Sequence, residues 1–293
     1  MVSLVDGCSK SELLGLALGR WCLFSMNARA VFAVPVFYFL VGIGGARGQL
    51  LYDNGPPDHM NGSEMTAWME ADDFVLSSDA RVKGVKFWDF EISADFVGTI
   101  VWQIYTNQQG EPGTLLYTGS ISSIAHTPTG IIAFGLREFV NTFEIPPADL
   151  PAGTYWLALH NGPLSNQVGD NVFWEATAQG DSLPSQGRSA PFTGRWFSNA
   201  FPGLPSDLAF QINGVPAPRI SEFDLRSGKP RITFSTISGE SYTVEYKNDL
   251  NAPAWTPLAG AELISGTGSD VAVVDADPSA RDQKHRFYRA RLL

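Results

Sequence analysis

Carboxylates, side-chain amides and tryptophans carry whatever chemistry this 293-residue chain can do, and they are unevenly placed. Ten acidic residues fall between Asp53 and Asp95; residues 49–219 hold 18 acidic and 7 basic side chains, a balance of -11, whereas residues 220–293 hold 10 and 9, a balance of -1. Clustered Asp and Asn oxygens in loops are what a hard cation such as calcium requires, since it takes about 6–8 oxygens at roughly 2.4 Å. Asp53, Asn54, Asp72 and Asp73 are the donors this predicts for a structural calcium, with Asp170 and Asn171 as a second set. The competing reading is that these residues only make turns through bonds to their own backbone. No ligand loop of the D-x-D-x-D-G kind is present to decide between them.

The aromatic set offers a second chemistry. A flat ring beside Asn, Asp and His holds a sugar, the ring covering the C–H face while polar groups bond the hydroxyls. Trp174 and Trp196 adjoin Asn171, Gly194, Ser198 and Asn199, and His160-Asn161 ends an apolar run, so Trp174, Trp196, Asn199, His160 and Asn161 form the expected ligand set. Trp88 joins them because its period-two neighbours, Lys86 and Phe90, leave its face ambiguous. Trp102 shares a face with Ile100 and Ile104, and Trp156 shares one with Ala158 and His160, so both read as core.

Catalysis has less behind it. No G-x-S-x-G or H-E-x-x-H occurs, and His59, His126, His160 and His285 are not at metal-ligand spacing, which argues against a serine hydrolase or a zinc enzyme. Paired carboxylates for glycoside cleavage come from separate strands and leave no spacing signature; Glu64, Glu91 and Glu175 are the candidates.

The elements that must position these residues are strands. Gly and Pro number 29 and 19 and only 17% of residues are charged, against roughly 25% in an average domain, a composition suited to short strands and turns rather than helical bundles. Gly84 to Glu91, Thr99 to Tyr105, Thr114 to Tyr117, Gly130 to Phe134, Tyr155 to His160, Val172 to Glu175 and Leu208 to Ile212 alternate as strands do. Only Ser63 to Ala71 carries a helical pattern. The expected fold is all-β, with a jelly-roll-like antiparallel β-sandwich over 49–213, a proline-rich linker over 214–219, and a small immunoglobulin- or fibronectin-like β-sandwich over 220–293 with Trp255 as its central plug.

Ahead of these, residues 1–48 read as a mis-extended start plus a signal peptide: Arg29 precedes the apolar run Ala30 to Ile43, and Ala46 and Gly48 suit cleavage before Gln49. The apolar run is shorter than the roughly 20 residues of a membrane span. Cys8 and Cys22 fall inside this leader, so the exported chain would carry no disulfide and no transmembrane segment. A pI near 4.8 without a basic face excludes nucleic acid as a partner.

Tyr52-Asp53-Asn54-Gly55-Pro56-Pro57, Trp102-Gln103-Ile104-Tyr105, Gly153-Thr154-Tyr155-Trp156 and Trp196-Phe197-Ser198-Asn199 resemble phrases of a domain found in exported bacterial proteins that often bear PEP-CTERM sorting tails. Gly239 to Leu293, with Tyr242-Thr243-Val244-Glu245-Tyr246 and Arg286-Phe287-Tyr288-Arg289, is similar to a C-terminal module of secreted proteins from verrucomicrobial-type bacteria. The resemblance implies export and a β fold and assigns no activity. Export, sandwich and loop aromatics together lead to an extracellular, cell-surface or periplasmic non-catalytic module that binds a glycan. The alternatives are a structural or adhesive surface protein acting by protein contacts and a glycan-active enzyme.

Overall fold

The computed structural model describes residues 48–92, 95–169, 171–180, 183–200, 206–226, 228–281 and 285–293. The expected leader, apart from Gly48, lies outside the described residues, and so does Asp170. What is described is all-β. In chain order the strands of the first part are β1 (Gln49–Asp53), β2 (Pro57–Glu64), β3 (Trp68–Leu76), β4 (Ala80–Glu91), β5 (Ile100–Gln108), β6 (Glu111–Ile121) and β7 (Ala125–Ala133). Then come β8 (Leu136–Leu150), β9 (Gly153–Asn161), β10 (Val172–Thr177), β11 (Gln186–Ser189), β12 (Phe197–Ser198), β13 (Asp207–Leu208) and β14 (Phe210–Pro216). The last are β15 (Ile220–Arg226), β16 (Lys229–Phe234), β17 (Ser241–Lys247), β18 (Thr256–Pro257), β19 (Ile264–Ser265), β20 (Val271–Val274) and β21 (Phe287–Leu292).

Two antiparallel sheets face each other in the first part. The eight-stranded sheet is built on β4: β8 runs along one side of it, β14 and then β10 along the other, with β2 beyond β10 and β7 beyond β8. The six-stranded sheet runs β12-β11-β3-β9-β5-β6. Alternation along the strands decides which side chains meet between them. Ile100, Trp102 and Ile104 of β5 and Tyr155, Leu157 and Leu159 of β9 turn inward against Val85, Phe87, Phe143, Phe210 and Ile212 of the larger sheet. Each such side chain contributes about 1.5–3 kcal/mol by leaving water.

The helical pattern over Ser63 to Ala71 is not realised; those residues end β2 and begin β3. Met69 and Ala71 are buried on one face and Glu70 and Asp72 on the other, so burial on both faces erases the two-residue alternation that marks a half-buried strand. The linker is also shorter than expected. Gly214, Val215 and Pro216 continue β14 and pair with Val82, Arg81 and Ala80.

Val215 in turn enters the core of the second part, where a three-stranded sheet (β15-β16-β20) and a four-stranded one (β17 with β18, β19 and β21) enclose Phe234, Tyr242, Val244, Leu258 and Leu292. Trp255 is not the plug of that core; its ring lies between the cations of Lys247 (5.2 Å) and Arg289 (4.5 Å). Lys83 pairs with Glu240 at 2.5 Å, and Arg81, itself paired with Asp149, donates to the Leu293 carbonyl, so the two parts are joined by an ion pair and a hydrogen bond as well as by β14.

Candidate metal centre and binding face

The register of β2 against β10 breaks in the middle. Gly62 faces Glu175, but Pro57 faces Thr177, so Asp58 to Asn61 have no partners in the ladder and arch away from it. Asp58 shapes the arch: its Oδ1 accepts the Met60 and Asn61 amides at 2.8 and 2.9 Å, and its Oδ2 accepts Asn61 Nδ2 at 2.7 Å. His59, at the top, holds a φ of +59°, a conformation that only a few residue types tolerate. Gly62 closes the foot of the arch, where a Cβ would come within 2.9 Å of the Trp174 carbonyl oxygen.

The arch carries His59 across β10 and β4 to Glu138 on β8. Its Nδ1 lies 2.6 Å from Glu138 Oε2 and 3.8 Å from Glu175 Oε2. Among the described residues, these three are the group of His, Asp or Glu side chains whose ligand atoms all lie within 4.8 Å of one another. The two carboxyls reach the same place for a simple reason: Phe90 of β4 pairs with Glu138 on one side and with Phe173 on the other, so Glu138, Phe90, Phe173 and Glu175 share the outer face of the larger sheet. Both carboxyls are closed to solvent beneath an imidazole that is 44% exposed. Neither oxygen of Glu175 makes a hydrogen bond. Burial, followed by the charges of Glu138, Asp89 and Asp58, pushes the Glu175 carboxyl up to about 9.

A second polar group lies on the inner side of the same strands. The His126 ring is stacked between Phe96 (4.4 Å) and Phe139 (4.1 Å), with Nδ1 2.8 Å from Asn141 Oδ1 and Nε2 3.4 Å from Glu91 Oε1. Asp89 is fully buried beside it, and desolvation followed by the Glu91 charge raises its carboxyl well above the usual range.

The expected ligand residues are mostly interior. Trp174 is fully buried, edge-on to Phe87 and Phe210, its Nε1 donating to the Ala209 carbonyl at 3.0 Å. His160 and Asn161 are fully buried too: His160 Nδ1 meets the Gly162 carbonyl at 2.9 Å, and Asn161 donates to Thr66 and the Asp95 carbonyl. Trp196 is covered by the Arg188 guanidinium at 4.3 Å, and Asn199 donates to Glu70 at 2.6 Å. The contacts named for these five side chains are all made within the protein itself. Trp174 and Asn161 face the space between the two sheets, whereas His160 and Trp196 are enclosed on the outer face of the smaller sheet, where the chain joining β11 to β12 folds back and brings in Phe192. Trp88, like Asn199, is only half-buried. It lies on the outer face of the larger sheet, in register with Val140, with Lys86 Nζ 4.4 Å from its ring centre.

The expected calcium donors do not converge as a ligand set. Asp53 accepts from the Gly55 amide and from Gln211, whereas buried Asp72 accepts Asn54 Nδ2 at 2.9 Å and the Leu208 amide at 2.6 Å. Asp73 is buried beside Asp72, paired in register with Trp156. Bonds from Asn54 and Leu208 make Asp72 a fastener between the two sheets, not an open oxygen donor. Of the candidate catalytic carboxylates, Glu64 caps the turn at Thr66 and Ala67, Glu91 accepts the Phe96 amide and faces His126, and Glu175 belongs to the arch. They occupy three separate places. His59 and Glu138 had no sequence signal at all, being contributed by strands 79 residues apart. No family model, curated protein or solved structure matches this chain.

Proposed function

We propose that this is an exported, non-catalytic binding module that takes carbohydrate on the outer face of its larger sheet, with Trp88 as the stacking ring. The observation that carries the reading is the half-buried Trp88 ring on the outer sheet face beside Lys86, whose own cross-strand partners are the hydrogen-bonding residues Thr142 and Gln211. A ring of that kind covers the apolar face of a pyranose while the flanking groups bond its hydroxyls. The sandwich is here read as jelly-roll-like, and the smaller second sandwich as an immunoglobulin-like spacer. The carboxyls of Glu138 and Glu175 are closed to solvent, which speaks for binding over glycoside cleavage.

Affinity electrophoresis in gels cast with insoluble-wall and storage polysaccharides tests the reading. Retardation of the wild type by at least one polysaccharide, abolished in Trp88→Ala, supports it. Retardation unchanged in Trp88→Ala removes the face from consideration. The adhesive alternative has its own observation: β15 is an edge strand that exposes Ile220, Phe223 and Leu225, the kind of edge that pairs with another chain. Self-association lost on Phe223→Lys, together with no retardation by any polysaccharide, would favour it.

A further inference from the structure

We propose that His59, Glu138 and Glu175 form a binding site for a divalent first-row cation of the zinc class, which clips the β2 arch to β8 across the outer face of the larger sheet. Three observations support the assignment, and none involves the carbohydrate reading. First, the donor set is one imidazole nitrogen and two carboxylates, which suits zinc or manganese; calcium would need about 6–8 oxygens. Second, the donors are already gathered. His59 Nδ1 stands 2.6 Å from Glu138 Oε2 and 3.8 Å from Glu175 Oε2, a spread that straddles the roughly 3.3 Å separation of ligand atoms around a tetrahedral ion bound at about 2.0–2.1 Å. Third, Glu175 is fully buried with its Oε2 inside the group, and neither of its oxygens has a hydrogen bond, although a buried carboxyl without a partner is costly.

The rest of the arch fits a clip. Asp58 spends its oxygens on Met60 and Asn61, which fixes the height of His59 rather than adding a ligand. The exposed side of His59 leaves a coordination position open to water. Residues 57–64 contain no cysteine, so the arch itself supplies no thiol for a disulfide.

The test is zinc titration of the untagged full-length protein, by calorimetry and by thermal unfolding, with magnesium and calcium as comparison cations. The expected result is one zinc per chain beyond any bound elsewhere, and a midpoint raised by roughly 5–10 °C at a hundredfold excess over Kd. His59→Ala, Glu138→Gln and Glu175→Gln are each expected to weaken that zinc by about a hundredfold and to abolish the rise, whereas His285→Ala leaves both intact. His59 is exposed and outside the core, so His59→Ala decides the case should a buried variant fail to fold. Absence of a stoichiometric zinc in the wild type overturns the proposal. So does wild-type affinity in any folded member of the three, or preference for calcium over zinc.

Discussion

The outer faces of the two sheets in the first sandwich began from the same rule and ended differently. Along β9 and β5, Trp156, Ala158 and His160, together with Val101, Gln103 and Tyr105, point away from the main core, as Lys86 and Trp88 do along β4. On the larger sheet that face is open around Trp88. On the smaller one the segment 183–200 covers it, making a second core from Met69, Tyr105, Trp156, Phe192 and Trp196. A strand's alternation therefore tells which side chains share a face. Whether that face meets water is decided by a loop elsewhere in the chain.

The largest expected effect follows from the covered face. Trp156 is fully buried and its Nε1 donates to Asn107 Oδ1 at 3.0 Å. Trp156→Ala is expected to destabilise the fold by about 3–5 kcal/mol, measured by urea unfolding, while Trp88→Ala stays within about 1 kcal/mol. Equal losses would mean that the two faces are equally buried and would end the contrast.

Next in size is a pH effect on the opposite face of β3, the one turned toward the larger sheet. Glu70 is buried on that inner face, in register with Leu159, and desolvation raises its carboxyl to about 8, partly offset by the bond from Asn199. In the unfolded chain it titrates near 4.5, so between these values the folded state binds the extra proton. Stability from this group is complete below about pH 4.5 and declines as pH rises through about 8, by about 3 kcal/mol between about pH 5 and pH 8. Glu70→Gln, which keeps a neutral hydrogen-bonding group, is expected to flatten that part of the stability profile in urea melts taken across the range. A profile that keeps its slope in the variant assigns the pH dependence to another buried carboxyl, such as Asp89.

A smaller effect tests how the cover is fastened. Arg188 lies 4.3 Å from the Trp196 ring and donates to the Tyr105 hydroxyl at 2.8 Å, both contacts on the covered side. Arg188→Met keeps the stem and removes the charge, and is expected to cost about 1–2 kcal/mol and to speed hydrogen exchange of the residue 183–200 amides ahead of the sheet beneath. Uniform acceleration across both sheets would show that the cover and the sandwich open together.

The same contrast explains what could be read from the sequence. Thr99 to Tyr105 and Tyr155 to His160 alternate cleanly, and their inward faces were legible because Ile100, Trp102, Ile104, Leu157 and Leu159 all meet in one core. β8 was not legible: it contains Pro146 and Pro147 and several charged residues, which read as a break although it pairs with β4 almost throughout. The ligand tryptophans failed for a different reason. Trp174 and Trp196 do adjoin loops, but Trp174 turns inward from β10 into the core between the sheets, and Trp196 is packed by the chain between β11 and β12 as it returns over β9 and β5. The arch is the extreme case. His59, Glu138 and Glu175 lie on β2, β8 and β10, and the only local hint is Asp58 before a residue of left-handed backbone, a pattern shared with many ordinary turns.

The smallest effect on stability bears most directly on the open face. Lys86 Nζ lies 4.4 Å from the Trp88 ring centre, a cation over an aromatic ring worth roughly 0.5–1 kcal/mol at an exposed site. Lys86→Ala is therefore expected to move the unfolding midpoint little. Its effect on polysaccharide retardation separates two roles for the lysine. If the ammonium only lies over a ring that a sugar would otherwise cover, Lys86→Ala bares the ring and retardation is kept, in contrast to its loss in Trp88→Ala. Loss in both variants with both folds intact would make Lys86 a binding group in its own right, and the open face would then recognise its ligand by hydrogen bonding as much as by stacking.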